Sequence, residues 1–240
     1  MSLKTILRRH APTLYDALRV VVGRHFEVWP PRVVYAYDNL HTTLKQLFDF
    51  DNGVFFEVGA NDGVDGSNTA YLERYRGWKG ILVEAVPTLY MKCLEARPRA
   101  RVYHAALVPA DFDEKFIEIH YANQMSLTRL SDIAVDKHLE HATPWLKYDN
   151  AAAIGQTFLA PTRTAQSVID DAGLPEIDLF SLDVEGAELS VLKGIDFTRT
   201  RPRAFLIESF DVAEIDAFMR SVGYVQVAKV SHRDYLYRPA

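Results

Sequence analysis

A single cysteine, Cys93, in 240 residues has no intrachain partner for a disulfide. That removes the cross-linked secreted scaffolds and fits a reducing compartment. Long apolar runs are missing too. No stretch approaches the roughly 18 consecutive apolar residues that a spanning helix needs, and no signal-peptide core with a small-residue cleavage site opens the chain. The expectation is a cytoplasmic protein with no membrane span. Positive charge is scarce: 27 Lys and Arg stand against 32 Asp and Glu, a net charge of −5. A chain so balanced has no global field for neutralising phosphates, so nucleic acid is not expected as a partner. Low-complexity tracts and internal repeats are absent as well, which excludes fibrous and solenoid architectures.

The 48% hydrophobic and 25% charged shares are those of an ordinary globular domain, and the length suits one α/β domain with additions. Residues 1–50 read as an N-terminal helical cap. Leu3, Ile6, Leu7, Leu14, Leu18, Val21 and Val22 recur at helical spacing, broken by Pro12 and ended by Trp29-Pro30-Pro31. Leu40, Leu44, Leu47 and Phe48 form a further helical pattern before the Asp51-Asn52-Gly53 turn. Residues 51–240 then alternate short apolar runs with helical stretches, the signature of βαβ units on a mostly parallel sheet flanked by helices. Strands are expected at 54–58, 80–84, 101–105, 179–183 and 204–208, with an extra strand at 116–120 and a closing pair at 224–227 and 235–238. Helices are expected at 67–75, 88–95, 164–172, 187–193 and 212–222. Residues 122–160 are polar and irregular, with one helix near 133–141, and are expected to form a substrate lid.

Glu57-Val58-Gly59-Ala60-Asn61-Asp62-Gly63 follows the first strand and opens a helix, the place where such folds hold a nucleotide-like ligand. Gly59 permits a sharp turn, and Gly63 permits close approach of backbone to the ligand. Glu84 ends the second strand about 20 positions further on, where a ribose diol needs a hydrogen-bond acceptor. The spacing is not the Gly-x-Gly-x-x-Gly of a dinucleotide site. Glu57 would repel a pyrophosphate but tolerates a ligand bearing an ammonium and a sulfonium, which selects S-adenosylmethionine over NAD.

These residues, together with Leu82-Val83-Glu84-Ala85-Val86-Pro87, His104-Ala105-Ala106-Leu107, Ser181-Leu182-Asp183-Val184-Glu185-Gly186-Ala187-Glu188 and Val191-Leu192-Lys193-Gly194, resemble the FkbM family of S-adenosylmethionine-dependent methyltransferases. The likeness runs from about residue 51 to 227. It implies a class I methyltransferase fold, Rossmann-like, with a seven-stranded sheet holding one antiparallel strand. It also implies O-methylation of sugars, polysaccharides or glycosylated natural products. By that resemblance Glu57, Gly59, Ala60, Asn61 and Gly63 line the methionine part of the donor, and Glu84 and Ala85 border its ribose. Ala105 and Ala106 lie by the adenine, and Asp183 and Glu185 beside the sulfonium. The Asn/Asp-Pro-Pro-Tyr/Phe block of nucleobase amino-methyltransferases is missing after the fourth strand, which argues against N-methylation of DNA.

Methyl transfer to a hydroxyl is an in-line displacement, and a weakly acidic hydroxyl needs help in losing its proton. Asp183 and Glu208 end adjacent central strands on this reading and are the candidate bases, with His104 as an alternative. A second use of paired carboxylates stays open, namely holding a divalent cation such as Mg²⁺. No residue is assigned as a metal ligand. His141 is a further candidate base, Asn123 to Leu127 could present amides and a hydroxyl, and Trp145 and Tyr148 read as loop anchors. Arg97, Arg99 and Arg101 read as solvated surface. The expected partner is a small-molecule or glycan acceptor. The alternatives are a non-sugar acceptor and a module that binds S-adenosylmethionine without turnover; a NAD oxidoreductase is disfavoured by the glycine spacing.

Overall fold

The structure is a computed structural model and describes residues 40–122, 126–128, 130, 156–174 and 176–240. The chain enters through helix α1 (Leu40–Leu47) and runs into strand β1 (Val54–Val58), helix α2 (Ala70–Arg76), strand β2 (Lys79–Glu84) and helix α3 (Pro87–Ala96). Strands β3 (Arg101–His104), β4 (Ala106–Leu107), β5 (Phe116–His120), β6 (Leu127–Thr128) and β7 (Thr157–Arg163) follow. Helix α4 (Ala165–Ala172), strand β8 (Leu179–Leu182), helix α5 (Glu188–Leu192) and strand β9 (Phe205–Glu208) restore the alternation. Helix α6 (Val212–Ser221) and the hairpin of β10 (Tyr224–Lys229) and β11 (Asp234–Pro239) end it.

Seven strands make the main sheet in the order β10-β11-β9-β8-β1-β2-β3. β3, β2, β1, β8 and β9 run parallel, and β11 alone runs against them. This is the class I methyltransferase arrangement. The central parallel strands β1, β2, β8 and β9 are largely apolar on both faces because helices cover both, whereas β3 at the edge is partly exposed. On one face Phe56 stacks on Phe180 with ring centroids 4.5 Å apart, and Phe180 meets Phe205 at 5.0 Å, a ladder across β1, β8 and β9. On the other face Phe55, Leu82 and Leu206 pack with Trp78 and with Leu40, Leu44 and Phe48 of α1. Each such side chain contributes about 1.5–3 kcal/mol through removal from water. The part of the expected cap that is described therefore shares the core of the catalytic fold; residues 1–39 lie outside the described residues.

Local chemistry sets the helix ends. The Thr164 hydroxyl accepts the Ser167 N–H at 3.0 Å to start α4, and Asp211 accepts the Ala213 N–H at 3.1 Å to start α6. Pro87 begins α3, where a missing N–H costs nothing. None of the helices among the described residues is long and apolar enough to cross a membrane.

A smaller sheet, β4-β7-β5-β6, covers one end of the main one. Its strand β7 corrects the expectation that the chain is irregular up to residue 160. Pro161 disguised it, because proline inside an apolar run argues against a strand. Thr162 donates its N–H to the Lys115 carbonyl at 3.0 Å, so the nitrogen of Pro161 faces the opposite side, where β4 pairs only from Thr162 onwards. The proline removes no ladder bond. The expected helix at 133–141 lies outside the described residues.

Candidate active site

The carboxyl ends of β1, β2, β8 and β9 open on a cleft of about 430 Å³. Gly59, Ala60, Asn61, Glu84 and Ala85 form one wall, Ala105 and Ala106 close its end, and Asp183, Glu185 and Glu208 form the other. Ten of the thirteen residues expected to bind the donor or perform the chemistry are thus gathered in one place, and Glu57, Gly63 and His104 are put elsewhere.

Gly59 holds the two walls together. It has φ +80°, and a Cβ there would lie 1.8 Å from the Asp183 carbonyl oxygen. Only glycine lets the β1 and β8 exit loops approach so closely. The adjoining Asn61 is left-handed at φ 50°, which aims its N–H at Glu84. Glu84 accepts that N–H on Oε2 and the Val86 N–H on Oε1, both at 2.8 Å. Burial pushes its carboxyl up to about 7, against the opposing pull of those amides.

Glu57 is not in the cleft. Its buried carboxylate accepts from Ser67 Oγ at 2.9 Å, from the Asn68 N–H at 2.8 Å and from Thr69 Oγ1, and Arg97 Nη1 stands 3.7 Å away. The expectation that Glu57 lines the methionine part of the donor is therefore corrected: an internal arginine already answers its charge. Arg97 is itself buried. It donates through Nε to Glu73 at 2.6 Å and through Nη1 to the Gly63 carbonyl at 2.9 Å and to Ser67 Oγ at 3.0 Å. It is not the solvated surface residue its spacing suggested. Gly63 is corrected with it, since a Cβ there would meet Arg97 Cγ at 3.0 Å and Cys93 at 3.3 Å. Its smallness accommodates the arginine. His104, the alternative base, turns aside: Nε2 lies 3.0 Å from the Ala85 carbonyl and the ring stacks on Tyr90 at 5.2 Å.

Asp183 and Glu208 meet because Leu182 pairs with Ile207 in parallel register, which sets the next residue of each strand side by side. Their side chains are in hydrogen-bonding contact, and burial followed by the charges of Glu208 and Glu185 raises Asp183 well above the usual carboxylate range. Glu185 is pushed up to about 8 by burial, Glu208 and Glu188. Its backbone is left-handed, φ 53°, a conformation of the kind that concentrates at functional sites. Glu188 holds that loop by accepting the Val184 N–H at 3.2 Å and the Gly186 N–H at 3.0 Å.

An adenosine-bearing cation suits this lining: an accepting carboxyl at Glu84, small apolar side chains where a flat base needs width, and acids at the far end. A pyrophosphate would find no lysine or arginine on the Glu84 wall. Among the described residues no three His, Cys, Asp or Glu side chains are grouped to hold a metal ion, so the Mg²⁺ alternative finds no ligand set there. His141, Trp145, Tyr148 and Asn123 to Met125 lie outside the described residues; Ser126 lines the cleft. Unforeseen from the sequence are Ser231, Arg233 and Asp234 of the hairpin tip, which line it beside His232. Only the reversed direction of β11, a fact of topology, brings that tip to the active end.

A family model described as the methyltransferase FkbM domain matches residues 57–225. The 2-O-methyltransferase NoeI of Sinorhizobium fredii (strain NBRC 101917 / NGR234) is 25% identical over 179 residues, covering 72% of this chain and 69% of NoeI. Among solved structures, a TehB-like SAM-dependent methyltransferase from Corynebacterium glutamicum matches 97% of this chain and 99% of its own at 10% identity, TM-score 0.44. An RNA methyltransferase from Salinibacter ruber, in complex with S-adenosyl-L-homocysteine, matches 85% and 92% at 13% identity, TM-score 0.42. The expectation against a nucleic-acid acceptor rests on net charge and on the missing Asn/Asp-Pro-Pro-Tyr/Phe block.

Two predictions follow from the buried charges. Arg97→Met leaves Glu57 and Glu73 buried without their cation, and should lower the unfolding free energy by about 3–5 kcal/mol in urea titrations; an unchanged midpoint and slope would show that the network is dispensable. Glu185 is raised on folding, so its contribution to stability is complete below its unfolded value and is lost as pH rises through about 8. Between pH 5 and 8 the wild type should therefore lose more stability than Glu185→Gln, and parallel curves would contradict the placement of that carboxyl.

Proposed function

The chain belongs to the FkbM methyltransferase family, and from that footing we propose that it moves a methyl group from S-adenosylmethionine to a hydroxyl oxygen of a sugar, polysaccharide or glycosylated natural product. It is an S-adenosylmethionine-dependent methyltransferase. The hydroxyl and the saccharide are the proposed parts, and the side-by-side carboxyls of Asp183 and Glu208 in the cleft carry them. The name of NoeI, a 2-O-methyltransferase, points to the same kind of chemistry.

The donor, when bound, supplies a methyl carbon made electrophilic by its sulfonium. Glu84 takes the ribose hydroxyls with the lone pairs that Asn61 and Val86 leave free, and Ala85, Ala105 and Ala106 bound the space for the base. Gly59, Ala60 and Asn61 face the methionine part. Asp183 and Glu208 accept the hydrogen bond of the acceptor hydroxyl, fix its oxygen towards the methyl, and take its proton as the new bond forms. Positioning is the larger effect, worth up to about 7–11 kcal/mol, whereas general-base help contributes roughly 10²–10⁴-fold. The raised Asp183 suits the second task, because a stronger proton acceptor helps more. Turnover should accordingly rise with pH through a midpoint above the ordinary carboxylate range.

The acceptor's own charge follows from the lining. Asp65, Glu84, Asp183, Glu185, Glu208 and Asp234 face the cleft, against Arg233 as its one Arg or Lys among the described residues. Uncharged sugar hydroxyls are favoured there over uronates or sulfated and phosphorylated sugars.

Asp183→Asn and Glu208→Gln should each lower turnover roughly 10²–10⁴-fold while donor affinity, measured by calorimetry, stays within about tenfold, ~1.4 kcal/mol. Wild-type turnover in both variants would remove the pair from the chemistry. A panel of neutral glycosides, glycan fragments and uronates, assayed for radiolabelled methyl uptake, should show transfer to neutral members and little to uronates. Transfer to a lipid or peptide hydroxyl in place of every sugar would overturn the saccharide assignment and leave the methyltransferase intact.

A further inference from the structure

Arg233 stands at the acceptor end of the cleft, on the tip of the β10–β11 hairpin, and three consecutive residues hold it. Glu208 Oε1 lies 3.8 Å from its Nη1, the Ser209 N–H donates to its carbonyl at 3.0 Å, and the Phe210 ring lies under its guanidinium at 4.1 Å. The hairpin register, Asp234 opposite Glu208, fixes this arrangement in the sheet itself. Phe210 is 45% exposed, so its ring is not there to fill the core. A guanidinium over an aromatic face is held by the ring quadrupole while keeping its N–H groups for carboxylates.

We propose that Arg233 is the positioning residue that keeps the strand-end carboxyls in their working charge state, and that Phe210 and the Ser209 amide fix it for that task. The inference rests on the assignment of Asp183 and Glu208 as the proton-accepting pair. The groups facing the cluster are Asp183, Glu185 and Glu188 from the β8 exit, Glu208 from β9, and His232 and Asp234 from the hairpin. All but His232 are acids, and the charge of Glu208 opposes ionisation of Asp183, Glu185 and Glu188. Arg233 is the cation in contact with the cluster, and its charge draws Glu185 back down against Glu208 and Glu188. Without it the carboxyls would hold their protons to higher pH, and a protonated pair accepts nothing from a hydroxyl.

The experiment follows the carboxyl carbons of Asp183 and Glu185 by ¹³C NMR titration of the ligand-free protein. The pH profile of kcat/KM is measured alongside, in wild type, R233M, R233K and F210L. R233M should move the carboxyl midpoints upward by about one pH unit, R233K should restore most of the shift, and F210L should move them the same way by less. The limb of the rate profile should move with them. Carboxyl midpoints unchanged in folded R233M would overturn the assignment of Arg233, and R233K behaving as R233M would overturn the role of its charge. Should R233M not fold, F210L carries the test, an unchanged midpoint counting against the proposal. Carboxyl midpoints that move while the rate profile stays put would support the role of Arg233 and refute the catalytic pair on which it acts.

Discussion

Buried carboxyls placed against one another are the constraint around which the site is built. Asp183 and Glu208 cannot separate, because the β8–β9 register that puts them together is the register of the core beneath them. Phe180 and Phe205, in the same two strands, pack at 5.0 Å, so sliding one strand to relieve the repulsion would break that packing. Glu185 and Glu188 add to the burden from the following loop. Two like charges this close and this dry are tolerated only when one is protonated, when a cation stands by, or when a cationic ligand arrives. The cleft uses the first two means unaided and is thereby tuned for the third.

The opposite wall follows a different logic. There the buried carboxylates are answered from within the fold: Arg97 lies between Glu57 and Glu73, Arg99 stands 3.8 Å from Glu73, and the hydroxyls of Ser67 and Thr69 complete the shell. What that network gives the cleft is shape. It ties the C-terminal end of α3 to the 63–69 loop, and so fixes the turn from which Asn61 reaches Glu84. One wall has its Glu57 and Glu73 charges answered by arginines behind it, and the other crowds Asp183, Glu185 and Glu208 together, with Glu185 left-handed. A ligand with a neutral adenosine half and a cationic methionine half has the matching asymmetry.

Much of this was legible in the chain. The alternation of apolar runs and helical stretches located the five parallel strands to within a residue or so, because the four central ones, buried on both faces, leave a nearly continuous apolar record. The place of Glu84 in the cleft was legible because it depends on a fixed distance along the chain from the glycine turn. Asp183 and Glu208 were legible because both end central strands. Glu57 was misread for a physical reason: a carboxylate after the first strand was taken to face the ligand, while the cation that answers it lies far along the sequence at Arg97. His104 was misread because a position at a strand end does not say which way a ring turns. Strand β7 was hidden by Pro161, and Arg233 by the topology that brings a C-terminal hairpin to the active end. Contacts set by local spacing or by neighbouring parallel strand ends could be read off; those set by the returning hairpin or by the turn of a side chain could not.

The central claim is that the acid wall awaits a positive charge. Calorimetric titration of the wild type near neutral pH, in buffers of different ionisation enthalpy, counts the protons exchanged on binding. S-adenosylmethionine should release protons, because its sulfonium favours the ionised carboxyls, and S-adenosylhomocysteine, which lacks that charge, should release markedly fewer. Equal proton release by the two ligands would contradict the account.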